Sequence, residues 1–131
     1  MLLRNLAVMR HRCWSIVTGA DIPLNSRISG GLMIPHPNGI VIHPEAEVGP
    51  NCFILQQVTL AVGVTGAPRL GGSVLVGSGA KILGGVRIGD NARIGANAVV
   101  LEDVPPGATA VGVPARIVER AQTSSAPCSA A

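Results

Sequence analysis

Along most of this chain a branched apolar residue returns at every sixth position, in three runs. Ile22, Ile28 and Ile34 make the first, Ile42, Val48, Ile54 and Leu60 the second, and Leu70, Val76, Ile82, Ile88, Ile94 and Val100 the third. Four residues after most anchors stands a small or branched residue, as at Ala46, Cys52, Val58, Val74, Ala80, Val86, Ala92 and Ala98. The position directly after the anchor is often glycine, as at Gly49, Gly71, Gly77, Gly89 and Gly95. A helix spaces its apolar residues three and four apart and a half-buried strand spaces them by two, so a period of six belongs to neither. Fixed residue types at two phases of a fixed period describe stacked copies of one unit. The pattern predicts an all-β solenoid with one short strand per repeat. The anchor and the small residue point inward, and the residues between them face water. Rungs about 4.8 Å apart satisfy one another's backbone groups, and the glycine after each anchor is expected to let the chain turn a corner at little steric cost.

Two segments lie outside the period. In residues 1–20, Leu2, Leu3, Leu6, Met9, Cys13, Trp14 and Val17 fall at roughly helical spacing, with Arg4, Arg10 and Arg12 and no acid before Asp21. This predicts a short amphipathic helix that docks on the solenoid or on a neighbouring subunit, with a membrane-surface role as the second reading. Its apolar run is broken too early for a signal peptide. The solenoid is expected over 21–118. Residues 119–131, with Ser124, Ser125, Pro127 and Ser129, are expected to be a disordered tail. The uncharged stretch from Asn51 to Pro68 keeps the six-residue phase, so it is no transmembrane helix and no integral membrane segment is expected.

Composition sharpens this reading. One Phe, one Trp and no Tyr leave too few large side chains for an ordinary sandwich or bundle core, and a solenoid needs none. Hydrophobic residues make up 47% of the chain and charged ones 13%, which favours association with copies of itself. A net charge of +3 without interleaved aromatics gives no case for nucleic acid. Cys13, Cys52 and Cys128 are odd in number and widely spaced, so no disulfide framework is expected and a reducing, cytoplasmic setting is. Cys52 falls on the small inward phase and reads as a buried filler.

The period breaks twice, and in a repeat protein breaks are where function gathers. Eight residues separate Ile34 from Ile42, the surplus lying in Pro35-His36-Pro37-Asn38-Gly39. Ten separate Leu60 from Leu70, with Gly63, Gly66 and Pro68 in a loop long enough to reach another subunit. His36 is therefore displayed on a rigid turn, either as a reacting group or as a surface histidine. His11, in the basic leader, and His43, expected to face solvent, make no metal set with it, and no metal is expected. Gly77-x-Gly79 tracks the repeat and has no helix pattern after it, so it is no dinucleotide fingerprint.

From about Thr18 to Val118 the chain resembles the left-handed β-helix domain of the hexapeptide-repeat acyltransferases, and among them the serine acetyltransferase-like group. The resemblance is carried by Thr18-Gly19-Ala20-Asp21-Ile22, by His36 followed by Asn38-Gly39-Ile40-Val41, by Gln57-Val58-Thr59-Leu60, and by Gly77-Ser78-Gly79-Ala80-Lys81-Ile82-Leu83-Gly84. It continues through Ala96-Asn97-Ala98-Val99-Val100 and the closing Asp103-Val104-Pro105-Pro106-Gly107-Ala108 and Val111-Gly112-Val113-Pro114-Ala115-Arg116. It implies acetyl transfer from acetyl-CoA to a hydroxyl, in a homotrimer with sites between subunits. His36 would be the base, since a neutral imidazole suits that task near neutral pH. Asp21, fifteen residues earlier, would be its orienting carboxylate. Coenzyme A would lie along the C-terminal coils, near the backbone at Ala80 and Ala98, with Lys81 or Arg116 at its phosphates.

Departures from the family bear on the acceptor. The family has an acid before the catalytic histidine and an Arg-His pair in the long loop, where this chain has Pro35 and Gly66-Ala67. Without those charged contacts the acceptor is L-serine by overall likeness or a sugar hydroxyl by the missing groups. The family's helical N-terminal domain has only about twenty residues as its counterpart here, as in a short form of the enzyme. The same departures motivate the competing expectation, a non-catalytic β-helix serving as an assembly partner.

Overall fold

A computed structural model describes residues 1–118; the tail predicted over 119–131 lies outside the described residues. Helix α1 (Leu2–Thr18) comes first and ends at Gly19, whose φ of 67° closes its last turn. Strands β1 (Arg27–Ile28), β2 (Val41–Ile42), β3 (Glu47–Val48), β4 (Phe53–Ile54), β5 (Thr59–Ala61) and β6 (Arg69–Leu70) follow. Then come β7 (Leu75–Val76), β8 (Lys81–Leu83), β9 (Arg87–Ile88), β10 (Arg93–Ile94), β11 (Val99–Val100), β12 (Thr109–Val111) and β13 (Arg116–Val118).

These strands stack in three parallel columns, the faces of a left-handed triangular prism. Face one runs from Asp21 through β2, β5 and β8 to β11. Face two holds β1, β3, β6 and β9, extended by Val104. Face three begins at Met33 and holds β4, β7, β10 and β12. There β13 turns back antiparallel on β12 and ends the stack. The register reports the two breaks in the period directly. A regular coil brings Val41 over Thr59, the first surplus brings Asp21 over Val41, and the second brings Thr59 over Lys81. Each surplus is thus expelled as a bulge at a corner, and the rungs above it stay aligned.

The core is the anchor phase. Ile42, Val48, Ile54, Leu60, Val76, Ile82, Ile94 and Val100 are all within 1% of complete burial, interleaved with Ala46, Cys52, Val58, Val74, Ala80, Ala92 and Ala98. Ile22, Ile28 and Ile34 are only partly buried, because the first coil has no rung below it. None of the described residues in this core is polar or charged. Cys52 sits in it as expected, its thiol donating to the Gly71 carbonyl at 3.2 Å.

The glycines after the anchors have a different purpose from the one expected. The corners turn two residues further on, where Asn51, Ser73, Gly79, Asn91 and Asn97 take positive φ. Gly49, Gly71, Gly77 and Gly89 are required by close approach to neighbouring backbone instead, whereas a Cβ on Gly95 would meet chiefly the Val111 side chain. A Cβ on Gly77 would stand 2.6 Å from the Ala96 nitrogen and 2.8 Å from the Gly95 carbonyl carbon of the next rung. The rungs pack too tightly there for any side chain.

Among the described residues, helix α1 meets the solenoid through one side-chain polar contact, His11 Nε2 with the Ile22 carbonyl at 2.7 Å. None of its residues is buried. No helix among the described residues is long and apolar enough to cross a membrane.

Candidate active site

The corner leading from face three into face one holds both Asp21 and His36. Its rungs are tied by a continuous line of backbone hydrogen bonds. Gly39 donates to Gly19 at 2.9 Å, Gln57 to Asn38 at 2.9 Å, Gly79 to Gln56 at 2.9 Å and Asn97 to Ser78 at 2.8 Å. At the top Val99 donates to Gly112 at 3.0 Å. A residue of positive φ recurs at each of its rungs: Gly19, Gly39, Gln57, Gly79 and Asn97.

Asp21 and His36 both belong to its lowest part. Asp21 begins face one, its backbone nitrogen donating to Ile40 at 2.7 Å. His36 stands in the two-residue bulge that feeds Ile40 and Val41 onto the same face. Pro35 and Pro37 fix the backbone on both sides of it. Both side chains are exposed, and no hydrogen bond or ion pair joins them among the described residues. The fold brings their backbones to one corner and leaves both side chains open to a ligand.

Lys81 extends from face one across this same edge, its Nζ donating to the Gln57 carbonyl at 2.7 Å. Arg116 lies exposed at the top of the edge, opposite Val111 where β12 turns into β13. Ala80 and Ala98 lie behind the edge, fully buried. Their peptide groups are used in the ladder: Thr59 donates to Ala80 and Lys81 to Ala98, at 3.0 and 2.8 Å. Their side chains point into the core and offer no surface to a ligand.

The second bulge occupies a different corner. It leaves face one after β5 and folds into a tight hairpin, with Gly63 and Gly66 exchanging hydrogen bonds of 2.8 and 3.2 Å. The Thr65 hydroxyl accepts from the Gly85 nitrogen at 2.9 Å and pins the hairpin to the next rung. Val64 at its tip is fully exposed. His36 and this loop therefore stand at opposite ends of face one.

The other histidines have local tasks. His43 is half-buried, its Nδ1 accepting from the Glu45 nitrogen at 3.2 Å, so it caps a turn instead of facing solvent freely. His11 holds the helix. No group of three metal-ligating side chains occurs among the described residues. Sequence reasoning missed a charged column on face two, where Glu47 meets Arg27 at 3.1 Å and Arg69 at 3.8 Å. The coil lengths hold the signal, since offsets of 20 and 22 residues stack these three side chains.

A family model described as bacterial transferase hexapeptide (six repeats) matches residues 67–102. The serine acetyltransferase of Synechococcus elongatus is 46% identical over 111 residues, which take in 80% of this chain and 45% of that protein. The chain thus carries hexapeptide repeats and is similar to the serine acetyltransferases. The solved structure of soybean serine acetyltransferase complexed with serine superposes with a TM-score of 0.79 at 43% identity, covering 88% of this chain and 49% of that one. A serine acetyltransferase in complex with CoA superposes with a TM-score of 0.76 at 42% identity, covering 87% of this chain and 48% of that one. The chain spans about half the length of the curated relatives it matches.

Proposed function

We propose that this chain is an acetyl-CoA-dependent O-acetyltransferase acting on a hydroxyl of a small acceptor, L-serine or a sugar, in a reducing, cytoplasmic setting. The observation that carries the reading is the placement of His36 on a proline-braced bulge at the corner where Asp21 begins the same face. The likeness to relatives solved with serine and with CoA supports it. The neutral imidazole of His36 takes the acceptor's hydroxyl proton as the oxygen attacks the thioester carbonyl. The C–O bond forms, the C–S bond breaks, and the imidazolium returns the proton to the departing sulfur. Asp21 orients the ring and stabilises its cationic form. The donor lies along the edge above His36, within reach of Lys81 and Arg116 for its phosphates.

The site is shared between copies in a homotrimer. His36 and the Gly63–Gly66 hairpin occupy opposite ends of face one, so a neighbour's hairpin covers the acceptor of a given histidine. Serine is favoured by the relatives. A sugar is favoured by the uncharged residues at the two bulges, Pro35 and Gly66-Ala67, which offer no partner to an ammonium or a carboxylate.

The test is acetyl-CoA-dependent release of free thiol by the purified protein, with L-serine and a panel of sugars and nucleotide sugars, alongside His36→Ala. Turnover lost in the variant while coenzyme A still binds supports the mechanism; undiminished turnover refutes it. Silence of the unaltered chain on every acceptor supports the non-catalytic assembly reading instead.

A further inference from the structure

Helix α1 is oriented opposite to what its pattern leads one to expect. At about 100° per residue, Leu3, Leu6, Met9, Cys13, Trp14 and Val17 share one broad side, and His11, Ser15 and Thr18 share the other. The polar side faces the solenoid: His11, Ser15 and Thr18 are the half-buried residues of the helix, and His11 makes the contact with Ile22. The apolar side faces away from the protein. Leu3 is 82%, Met9 65%, Trp14 61% and Val17 75% exposed. Leu24 of the first coil, 62% exposed, lines a shared cleft with Trp14 and extends the surface.

The charges identify what covers it. Arg4, Arg10 and Arg12 are exposed, and the helix has no acid in its first turn or anywhere before Asp21. Arg10 stands at the middle of the 17-residue helix, within the apolar side. A two-fold pairing centred on this helix, parallel or antiparallel, sets Arg10 against Arg10 of the second copy, in an apolar seam with no carboxylate to meet either. At a lipid surface the same residue extends its stem along the acyl boundary and keeps its guanidinium among the phosphates. A basic, acid-free helix with a tryptophan on its apolar side has the composition of an interfacial helix.

We infer that α1 seats the protein on an anionic lipid surface, with its apolar side inserted at the headgroup boundary and Arg10 on lipid phosphates. This holds whether or not the solenoid is catalytic.

Trp14 is the chain's one tryptophan, so it reports insertion without a label. The full chain is mixed with vesicles of phosphatidylcholine alone or containing phosphatidylglycerol. The expected result is a blue shift of Trp14 emission and cosedimentation with the anionic vesicles only, both reversed as salt rises to about 0.5 M. Arg10→Gln should lower the partition coefficient about fivefold. Leu6→Glu should abolish binding, with native mass and far-ultraviolet circular dichroism unchanged in solution. Equal binding to both vesicle types, or binding to neither, overturns the inference. A fall in native mass with Leu6→Glu also overturns it and assigns the apolar side to a second copy.

Discussion

Replacing Gly77 by Ala tests whether the glycines after the anchors are demanded by rung contact or by backbone freedom. The added Cβ would meet three backbone atoms of the next rung: Ala96 N at 2.6 Å, Gly95 C at 2.8 Å and Ile94 O at 2.9 Å. Carbon contacts are comfortable at about 3.5 Å or more, so the two rungs must part locally by about 0.8 Å. The hydrogen bond from Gly77 to Ile94, now 2.8 Å, would stretch beyond useful length. Losing one or two ladder bonds costs about 1 kcal/mol each, and overpacking adds about 1–3 kcal/mol. The expected loss is about 3 kcal/mol, or roughly 10 °C in Tm for a chain of this size. Two controls separate the causes. Gly107, with φ of 71° and nothing within 4 Å of a Cβ, should cost only about 1–2 kcal/mol as Ala. Gly30, also with open space and no positive φ, should gain about 0.4–1 kcal/mol as Ala. Urea and thermal unfolding at one fixed protein concentration read all three, since assembly would otherwise shift the transition. A Gly77→Ala chain as stable as Gly107→Ala would refute the contact argument.

Four further outcomes follow from the same geometry. Ile82 is completely buried between Leu60 and Val100 in the face-one column, so Ile82→Ala should lower unfolding stability by about 2–5 kcal/mol. Burial pushes the Cys52 thiol up from its ordinary range. Native protein should therefore label rapidly at exposed Cys13 and not at Cys52, followed by peptide mapping. The raised value also means that the folded state holds this proton more tightly than the unfolded one. Its contribution is fully present below pH 9.0 and is lost as pH rises through the folded value, so unfolding titrations should show stability falling on the alkaline side. Finally, His36→Ala chains refolded in equal amounts with chains lacking the hairpin from Gly63 to Gly66 should regain about a quarter of full acetyl transfer, because a quarter of random interfaces pair an intact histidine with an intact loop. Activity that stays at zero would refute a site shared between copies.

The six-residue period alone determined the architecture. Each repeat makes the same short-range choice, and rungs related by stacking need no large side chains to agree on a register, so local pattern and global fold coincide. Ile42 through Val100 were legible as core for that reason, and the two bulges were legible as departures from a count. The purpose of Gly77 and its counterparts was not. In the sequence a glycine that turns a corner and a glycine that makes room for the next rung look alike, and only the 2.6 Å approach of Ala96 tells them apart. His36 and Asp21 could be named from spacing and resemblance, yet their distribution over the corners depends on how coils of 18, 20 and 22 residues superpose. That superposition is what separates His36 from the hairpin. The orientation of α1 was hidden for a similar reason. Helical periodicity shows that a face is apolar, whereas the direction it points is fixed by the Gly19 turn and the His11 contact, which depend on where Ile22 lies in space.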